Sequence, residues 1–390
     1  MLKMISLNKK KYCILSSSRA DFGILSNFIK KLLKKKNIRL DLILTGSHIS
    51  KKFGETKIEV RENNIKYFYE LKIPNKNKNA NDLSLSSSIL LKKLSKKFKK
   101  EKYNNLIILG DRFEIFIAAY VATLYKVPII HLSGGDETQA SYDNQFRHAI
   151  TKLSHIHFVT NEISKNRIIK MGENPKNVIN FGSLSVENIY KLKKIGKKII
   201  EKEFKIKLSK FFFLVTFHPE TLGYEDVKNL KSLFSAISNF KDIQFIFTSS
   251  NTDEGGDLIN SMIKNFCKYN KNTSFIKSFG QKKYLNVMKY SCGIIGNSSS
   301  GVCEAPSLKI GTLNLGNRQT GRIQIKSVVN SDFTKKNIIN GIEKILSKKF
   351  KLQTQNVKNP YYKKNTSENI IRKIISYDNQ NLLIKKFNDI

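Results

Sequence analysis

Residues 105–158 constrain the fold of this chain more than any other stretch, because they alternate between strand-like and helix-like patterns. Two short apolar runs, residues 106–109 and 127–131, have the length of buried strands, and residues 113–125 between them have the length of a helix. The same alternation continues on both sides of this stretch. Alternating strands and helices are typical of βαβ units, so we predict an α/β fold with parallel sheets that are covered by helices on both faces.

The length of the chain and a second series of strand-like runs predict two domains. The chain has 390 residues, of which 40% are hydrophobic, and this is enough for two cores of ordinary size. A charged segment that is poor in apolar residues, 191–209, follows the first series of strands, so we place the domains at residues 1–190 and 191–390. We predict that the chain is helical after about Ser327 and that its last helix, 365–376, packs back on the first domain.

The net charge of +39 raises the question of nucleic-acid binding. The lysine-rich runs lie in or beside predicted amphipathic helices and lack interleaved aromatic residues that would stack on bases, so the sequence favours a protein that binds no nucleic acid. A positive field still attracts an anionic small molecule.

The four cysteines have no metal-ligand spacing, and no metal site is predicted. No apolar run approaches 18 residues and no export signal is recognisable, so we expect a cytoplasmic protein without a membrane span.

Charged side chains follow the two strands of residues 105–158, at the sheet edge where open parallel sheets bind their ligands. Neighbouring carboxylates raise one another's pKa, which suits acid and base catalysis near neutral pH. The alternatives are structural: Asp111 as a helix cap, an ion pair between Asp143 and Arg147, and a solvated loop at residues 136–137. The candidate groups are Asp111, Asp136, Glu137, Asp143, Arg147 and His148.

Several turns between a strand and a helix have the small polar residues and arginines of an anion site, where free backbone N–H groups and guanidinium groups bind phosphate. The first such turn contains Arg19 but no G-x-G-x-x-G pattern, so the dinucleotide fingerprint is not supported. His218 ends a strand before a proline, from where it can contact phosphate or move a proton. The strongest phosphate signal is in residues 297–301, and the second-half candidates are His218, Ser298, Ser299, Ser300, Glu304, Arg318 and Arg322.

Seven ordered motifs resemble those of the hydrolysing UDP-N-acetylglucosamine 2-epimerases of bacterial sialic-acid-type pathways. The motifs are GDRFEI, HLSGGDET, YDNQFRHAITKLSHIHFVTNE, TFHPET, SSNTDEGG, GNSSSGVCEAPSL and GNRQTGR, and the match as a whole runs from Ser17 to Arg322. The resemblance implies two Rossmann-like domains in the glycosyltransferase-B arrangement, with the active site in the cleft between them. It implies a nucleotide-sugar substrate, no redox cofactor, no metal ion and a homo-oligomer.

The implied reaction removes the proton from carbon 2 of the sugar and expels the nucleoside diphosphate from carbon 1. Water then adds to the 2-acetamidoglucal intermediate and releases the free sugar with carbon 2 inverted. For UDP-N-acetylglucosamine the products are UDP and N-acetylmannosamine, but relatives act on UDP-N,N'-diacetylbacillosamine and GDP-N-acetylglucosamine, so the nucleotide and the sugar stay open. The alternatives are a non-hydrolysing epimerase, a glycosyltransferase of the same architecture and, from a different class, a nucleic-acid-binding protein.

The resemblance also implies roles for the candidate residues. The acid and base carboxylates are Asp111, Asp143 and the acidic residue after Gly134-Gly135, and His218 belongs near the diphosphate. Ser133 and Asp136 stand where the family usually has histidine and glutamate, so the sequence leaves open whether Asp136 or Glu137 is catalytic. Arg147 and His148 match the family's R-H pair, and the residues that match its nucleotide contacts are Arg19, Ser298, Ser299, Glu304 and Arg322.

Overall fold

The computed structural model describes residues 9–49, 57–74, 79–139, 142–220, 225–251, 255–377 and 382–389. The chain divides into two compact units. The first unit consists of Met1–Asp136, Asp143–Glu187 and Tyr362–Ile390, and the second of Glu137–Tyr142 and Asn188–Tyr361. These units differ from the predicted division at residue 190 in three segments, because residues 362–390 group with the first unit and residues 137–142 and 188–190 group with the second.

The first unit contains a parallel sheet of seven strands within the described residues, in the order β3-β2-β1-β4-β5-β6-β7. The central strands are buried along their length because neighbouring helices cover both faces of the sheet. The strands are β1 Lys10–Ser16, β2 Ile38–Leu44, β3 Tyr69–Glu70, β4 Asn105–Leu109, β5 Ile129–Leu132, β6 Ile156–Val159 and β7 Val178–Asn180.

Two apolar cores pack against this sheet. One contains Phe22 and Phe28 of the first helix, and the other contains Leu90 and Leu94 of the third. The last helix of the chain contributes Ile370 and other apolar residues to the first of these cores, which explains why the C-terminal segment groups with this unit. The helices are α1 Arg19–Leu33, α2 Lys57–Glu62, α3 Ala80–Glu101, α4 Phe113–Leu124, α5 Asp143–Leu153, α6 Glu162–Lys170, α7 Leu184–Tyr190 and the C-terminal helix Thr366–Ser376. The chain passes into the second unit within α7.

The second unit contains, in its described part, a parallel sheet of six strands in the order β10-β9-β8-β11-β12-β13. Its strands are β8 Phe212–Thr216, β9 Gln244–Thr248, β10 Thr273–Ile276, β11 Gly293–Gly296, β12 Gly311–Leu315 and β13 Val328–Ser331. Its helices are α8 Lys197–Phe204, α9 Asp226–Ile237, α10 Gly256–Tyr269, α11 Gly280–Tyr290, α12 Ser299–Cys303, α13 Lys335–Leu346 and α14 Lys348–Gln355, so the C-terminal helix Thr366–Ser376 is α15. The prediction of an α/β fold with parallel sheets is confirmed.

The prediction that the chain after Ser327 is helical was wrong for Val328–Ser331, which form the edge strand β13. Each of the four residues pairs with β12, from Thr312↔Val328 to Leu315↔Ser331. Only two apolar residues mark this strand and neither is fully buried, so its hydrophobic pattern was too weak to recognise. The segment predicted as a domain connection, 191–209, contains the amphipathic helix α8.

Both sheets have the strand order of a Rossmann fold, so in each unit the order reverses at one known place. In the first unit this switch point lies between β1 and β4, and in the second between β8 and β11. Ligands of open parallel sheets bind beyond the carboxyl ends of the strands at the switch point. Asp111 follows β4, while His218 and Asn297 follow β8 and β11.

No helix in the described ranges is both long and apolar enough to cross a membrane.

Candidate active site

Arg147 links the loops after β4 and β5 to helix α5. Its side chain is 3% exposed and forms an ion pair with Asp111, whose side chain is 25% exposed. Nη1 of Arg147 also donates hydrogen bonds to the main-chain oxygen of Asp136 at 3.0 Å and to Oδ1 of Asn144 at 2.9 Å. One alternative was that Arg147 pairs with Asp143 along its own helix. The observed pair with Asp111 crosses the sheet edge, and therefore groups Arg147 with the carboxylates at the strand ends.

The carboxylate of Asp136 is fixed by the start of helix α6. Oδ1 of Asp136 accepts a hydrogen bond from Oγ of Ser164 at 2.7 Å and a longer one from Nδ2 of Asn161 at 3.4 Å. Asn161 is the N-cap of α6 and also binds Ser164. Asp136 is only 8% exposed. It is therefore a preorganised carboxylate, oriented by hydrogen bonds and by the carbonyl contact to Arg147.

His131 supports the same loops from within the sheet. It is fully buried, and burial lowers its pKa to about 3, so its ring is neutral at physiological pH. Its Nε2 donates to the main-chain oxygen of Gly110 at 2.9 Å, directly before Asp111. Its ring also occupies the space beside Gly134, where an added Cβ would lie 2.6 Å from Nδ1. Gly134 is therefore required by the close approach of the imidazole ring.

Replacement of Gly134 by alanine should destabilise the protein. The new methyl group has to displace the buried ring of His131, and overpacking of this kind typically costs about 2 kcal/mol. Urea unfolding followed by circular dichroism measures the effect. Gly196→Ala is the matched control, because beyond its chain neighbours and its own helix no atom lies within 4 Å of a Cβ at that position; Gly196 is the N-cap of α8, so a small loss is expected there, and its midpoint should fall less than that of Gly134→Ala. Equal midpoints for Gly134→Ala and the parent would contradict this account of the loop.

Glu137, the neighbour of Asp136, has different surroundings. It is half-buried and belongs to the second unit, where a Cβ on Gly321 would lie 2.9 Å from the Cβ of Glu137. Gly321 has φ +91°, so both its conformation and its contact with Glu137 favour glycine. Asp136 and Glu137 therefore belong to different units, and the carboxylate of Asp136 is fixed by the start of α6.

Asp143 and His148 lie on helix α5 with Arg147. Asp143 is the first residue of the helix, where the partial positive charge of the N-terminus stabilises a carboxylate. Asp143 and His148 are both half-buried, whereas Arg147 is buried. The helical spacing of four places Asp143 on the face of Arg147. Residues 140 and 141, which precede this helix, lie outside the described residues.

The turn between β1 and α1 differs from the predicted anion site. Ser17 N and Ser18 N each donate to the carboxylate of Asp21 at 2.7 Å, and Ser18 caps α1 in return. The prediction that free N–H groups of this turn bind an anion does not hold for Ser17 N and Ser18 N, because the helix supplies its own carboxylate to them in a capping box. Arg19, which is half-buried, is the cationic side chain of this turn.

Glu114 is a site-supporting residue that the sequence analysis missed. Glu114 lies in the first turn of α4 and is 2% exposed, and burial raises the pKa of its carboxyl group. The carboxylate accepts a hydrogen bond from Nε of Arg112 at 3.2 Å. Its Oε1 would lie 2.7 Å from a Cβ on Gly46, so the loop after β2 can pass beside Glu114 only with glycine at that place. Glu114 therefore lies beside the strand-end loops on either side of β1. The sequence signal for this role is a glutamate three residues after Asp111, in the first turn of an otherwise apolar helix.

In the second unit, His218 and Asn297 join the two strand ends at the switch point. His218 N donates to Oδ1 of Asn297 at 2.7 Å, and Nδ2 of Asn297 donates to the carbonyl oxygen of His218 at 2.8 Å. The backbone N of Asn251 donates to Nδ1 of His218 at 3.1 Å. Because Nδ1 accepts a hydrogen bond, the neutral ring carries its proton on Nε2. His218 therefore presents a hydrogen-bond donor at Nε2.

The predicted phosphate segment forms the short helix α12. Ser298 is its N-cap and accepts from Ser300 N at 3.4 Å, and Glu304 is its C-cap. The helix has only five residues, so its dipole is small. A phosphate bound at this segment would therefore depend mainly on the serine hydroxyls, including that of Ser299, and on nearby cations.

The two predicted arginines lie in the loop after β12. Nη1 of Arg318 donates to the carbonyl oxygen of Asn297 at 3.3 Å, and Nη1 of Arg322 contacts Sγ of Cys303 at 3.0 Å. Gln319 also donates to the carbonyl oxygen of Asn297 at 2.8 Å. The structure thus brings both arginines to the two ends of α12. Asn297, the first residue of the predicted phosphate segment, connects His218 to this loop.

A cavity of about 840 Å³ lies at the carboxyl ends of β8, β12 and β13 in the second unit. The carboxylates of Glu220, Asp226 and Asp332 line it, and burial raises the pKa of both Glu220 and Asp226. A cavity lined by carboxylates repels a diphosphate. The α12 segment and its arginines are therefore better suited to phosphate than this cavity.

Comparison with known proteins supports the resemblance seen in the motifs. Residues 30–375 match the family model described as UDP-N-acetylglucosamine 2-epimerase. The polysialic acid biosynthesis protein P7 of Escherichia coli is 38% identical over 384 residues, which cover 98% of both chains. The GDP/UDP-N,N'-diacetylbacillosamine 2-epimerase (hydrolyzing) of Campylobacter jejuni is 37% identical over 347 residues, covering 88% of this chain and 90% of the relative.

The fold agrees with this assignment. A crystal structure of UDP-GlcNAc 2-epimerase from Neisseria meningitidis, bound to UDP-GlcNAc, superposes with a TM-score of 0.80 at 21% identity and covers 94% of this chain and all of the other. The family model and the two relatives above 30% identity each extend over most of the sequence, including both strand-end groups. This chain belongs to the UDP-N-acetylglucosamine 2-epimerase family.

Proposed function

We propose that this protein is a hydrolysing nucleotide-sugar 2-epimerase that acts on a UDP- or GDP-linked 2-acetamido sugar. The observation that carries the proposal is the group of Asp111, Asp136 and Arg147 at the carboxyl ends of β4 and β5. The buried guanidinium group of Arg147 pairs with the carboxylate of Asp111 and binds the main-chain oxygen of Asp136, so two carboxylates that can transfer protons are held at one place with a fixed backbone geometry. Further support is the 37% identity to a relative named as a hydrolysing epimerase of GDP/UDP-N,N'-diacetylbacillosamine.

In the first step, a carboxylate accepts the proton from carbon 2 of the sugar. The electrons of the C2–H bond form the C1=C2 double bond, and the C1–O bond breaks with its electron pair leaving on the diphosphate. We assign the base to Asp136, because Ser164 and Asn161 fix its orientation. Asp111 is held by Arg147 and remains partly exposed, so it can bind a sugar hydroxyl or relay a proton.

The leaving diphosphate gains negative charge as the C1–O bond breaks. His218, through its Nε2 proton, and Arg322, through its guanidinium group, are the donors we assign to this charge. Ser298 and Ser299 add hydroxyl donors at α12. Fixed donors of this type lower the barrier because they are oriented before the charge develops.

In the second step, water adds to the 2-acetamidoglucal. The hydroxyl group goes to carbon 1 and a proton goes to carbon 2 from the face opposite to the one it left. Asp143, at the start of α5, is the carboxylate we assign to this protonation. The sum is nucleotide sugar plus water giving nucleoside diphosphate plus the free 2-epimer, with no change in oxidation state.

Product identification over a small panel of substrates tests the proposal. Purified protein is incubated with UDP-N-acetylglucosamine, UDP-N,N'-diacetylbacillosamine and their GDP counterparts, and the products are separated and identified by NMR. We expect a free 2-epimeric sugar and nucleoside diphosphate in equal amounts from at least one substrate. In deuterated water the product should carry deuterium at carbon 2. Absence of both products from every substrate would sink the proposal.

The same assay separates the rival functions. A non-hydrolysing epimerase returns the epimer still linked to its nucleotide, so nucleoside diphosphate would not accumulate in step with turnover. A glycosyltransferase would release the nucleotide only when an acceptor is added. Nucleic-acid binding is tested by salt titration, since purely electrostatic binding falls steeply with ionic strength.

A further inference from the structure

The C-terminal segment 382–389 crosses the end of helix α5, the helix that begins at Asp143 and contains Arg147 and His148. We infer that Lys385 in this segment is a positioning residue that fixes α5, and through it the guanidinium group of Arg147. Nothing in the motif comparison assigns a role to this segment. The part of the inference that concerns turnover rests on the proposed function, whereas the part that concerns the helix does not.

Main-chain oxygen atoms at the end of α5 surround the ammonium group of Lys385. Nζ donates to the main-chain oxygens of Ser154 at 2.6 Å, Lys152 at 2.7 Å and Thr151 at 3.3 Å. The last carbonyl groups of a helix have no partners within the helix and carry its partial negative charge. A cation that donates to several of them therefore ties down the final turn and offsets the helix dipole.

The carboxylate of Glu173 also binds Lys385, and it connects α5 to strand β6 and to the C-terminal segment. One carboxylate oxygen lies 2.7 Å from Nζ of Lys385 and 3.2 Å from Nε2 of His157, and the other lies 2.8 Å from Nζ of Lys152. Burial raises the pKa of Glu173, but hydrogen bonds from these groups outweigh burial and hold it at about 2. Glu173 is therefore a charged, 3% exposed carboxylate shared by strand β6, helix α5 and the C-terminal segment.

Other residues of segment 382–389 contact Gly172 and the end of α5. The backbone N of Asn388 donates to the carbonyl oxygen of Gly172 at 3.0 Å. The ring of Phe387 lies so close to Gly172 that an added Cβ would be 2.3 Å from Cε2. Nζ of Lys152 lies 4.7 Å from the centroid of the same ring. These contacts hold Lys385 in register over the helix end, which distinguishes it from a surface lysine.

A short series of contacts leads from Lys385 to the candidate catalytic groups. Lys385 binds the carbonyl oxygen of Thr151, and Oγ1 of Thr151 donates to the carbonyl oxygen of Arg147 at 3.0 Å. Arg147 then pairs with Asp111 and donates to the carbonyl oxygen of Asp136. The last turn of α5 is thus one helical turn from the residue whose guanidinium group pairs with the Asp111 carboxylate and holds the main chain of Asp136. A displacement of about 1 Å at reacting groups can cost a factor of about 100 in rate, so fixing this helix matters for turnover.

The test replaces Lys385 by methionine, which keeps the length and apolar stem of the side chain and removes the ammonium group. Lys386→Met is the matched control, because Lys386 is the exposed neighbour in the same segment. Hydrogen exchange of the α5 amides and steady-state kinetics are measured in the full-length protein. For Lys385→Met we expect the amides of residues 150–154 to exchange about 10-fold faster, the amides of α10 to stay unchanged, and kcat to fall about 10-fold with little change in KM.

Lys385→Arg should restore much of both readouts, because its guanidinium group also donates to several carbonyl oxygens. Unchanged exchange in α5 would overturn the inference, as would equal effects of Lys385→Met and Lys386→Met. Faster exchange with an unaltered kcat would show that the segment is only structural. If Lys385→Met is not recovered in folded form, the same criteria apply to Lys385→Gln, which keeps one donor. If the parent protein turns over no nucleotide sugar, the proposed function fails, and the exchange data alone decide whether Lys385 fixes α5.

Discussion

Asp136→Asn should lower kcat by about 1,000-fold, whereas Glu137→Gln should change it by less than about 5-fold. Asparagine has the shape of aspartate, and its amide oxygen can still accept from Ser164 and Asn161, so the loop after β5 should keep its structure. The amide cannot accept a proton from carbon 2. We assign the base to Asp136 because Ser164 and Asn161 at the start of α6 fix its carboxylate, whereas Glu137 groups with the other unit.

Initial rates of nucleoside diphosphate release measure both variants, and circular dichroism checks that each is folded. Loss of exchange of the carbon 2 proton with deuterated water should accompany the loss of turnover in Asp136→Asn. The opposite pattern, with an inactive Glu137→Gln and an active Asp136→Asn, would transfer the role to Glu137. That outcome would leave the epimerase proposal intact and change only the residue.

The parallel sheets and the chemistry at their edges could be predicted because both depend on local patterns. Apolar runs such as β4 and β11 are buried along their whole length, and buried parallel strands produce continuous hydrophobic sequence. Each is followed directly by polar residues, which places Asp111 and Asn297 at the strand ends without any knowledge of packing. Strand β13 was missed because an edge strand buries less and leaves a weaker pattern.

The contacts that orient the site could not be predicted, because they join residues far apart in the sequence. Arg147 pairs with Asp111 over 36 positions, and Lys385 reaches Ser154 over 231. A capping box and an anion site have the same composition, so Asp21 could be recognised as the cap of α1 only from its hydrogen bonds. Asp136 and Glu137 are equivalent in the sequence and became distinct only through Ser164 on the following helix.

His218→Asn and His218→Gln should separate the two ring nitrogens of His218. The amide of asparagine reaches the position of Nδ1, so it can still accept from Asn251 N, but it offers no donor where Nε2 was. The longer glutamine side chain places an amide near the Nε2 position and loses the acceptor for Asn251. If the Nε2 proton stabilises the leaving diphosphate, His218→Asn should lose about 100- to 1,000-fold in kcat/KM, and His218→Gln should retain at least about 10-fold more activity than His218→Asn.

The measurement is the initial rate of nucleoside diphosphate release, with calorimetric titration of UDP or GDP as an independent readout of product affinity. A weaker affinity for the nucleoside diphosphate in His218→Asn would place the donor at the phosphate. Higher activity in His218→Asn than in His218→Gln would mean that His218 acts mainly by holding the loop at Asn251. In that case the charge on the leaving group would have to be stabilised by Arg322 and the serines of α12, and Arg322→Met would then produce the larger loss.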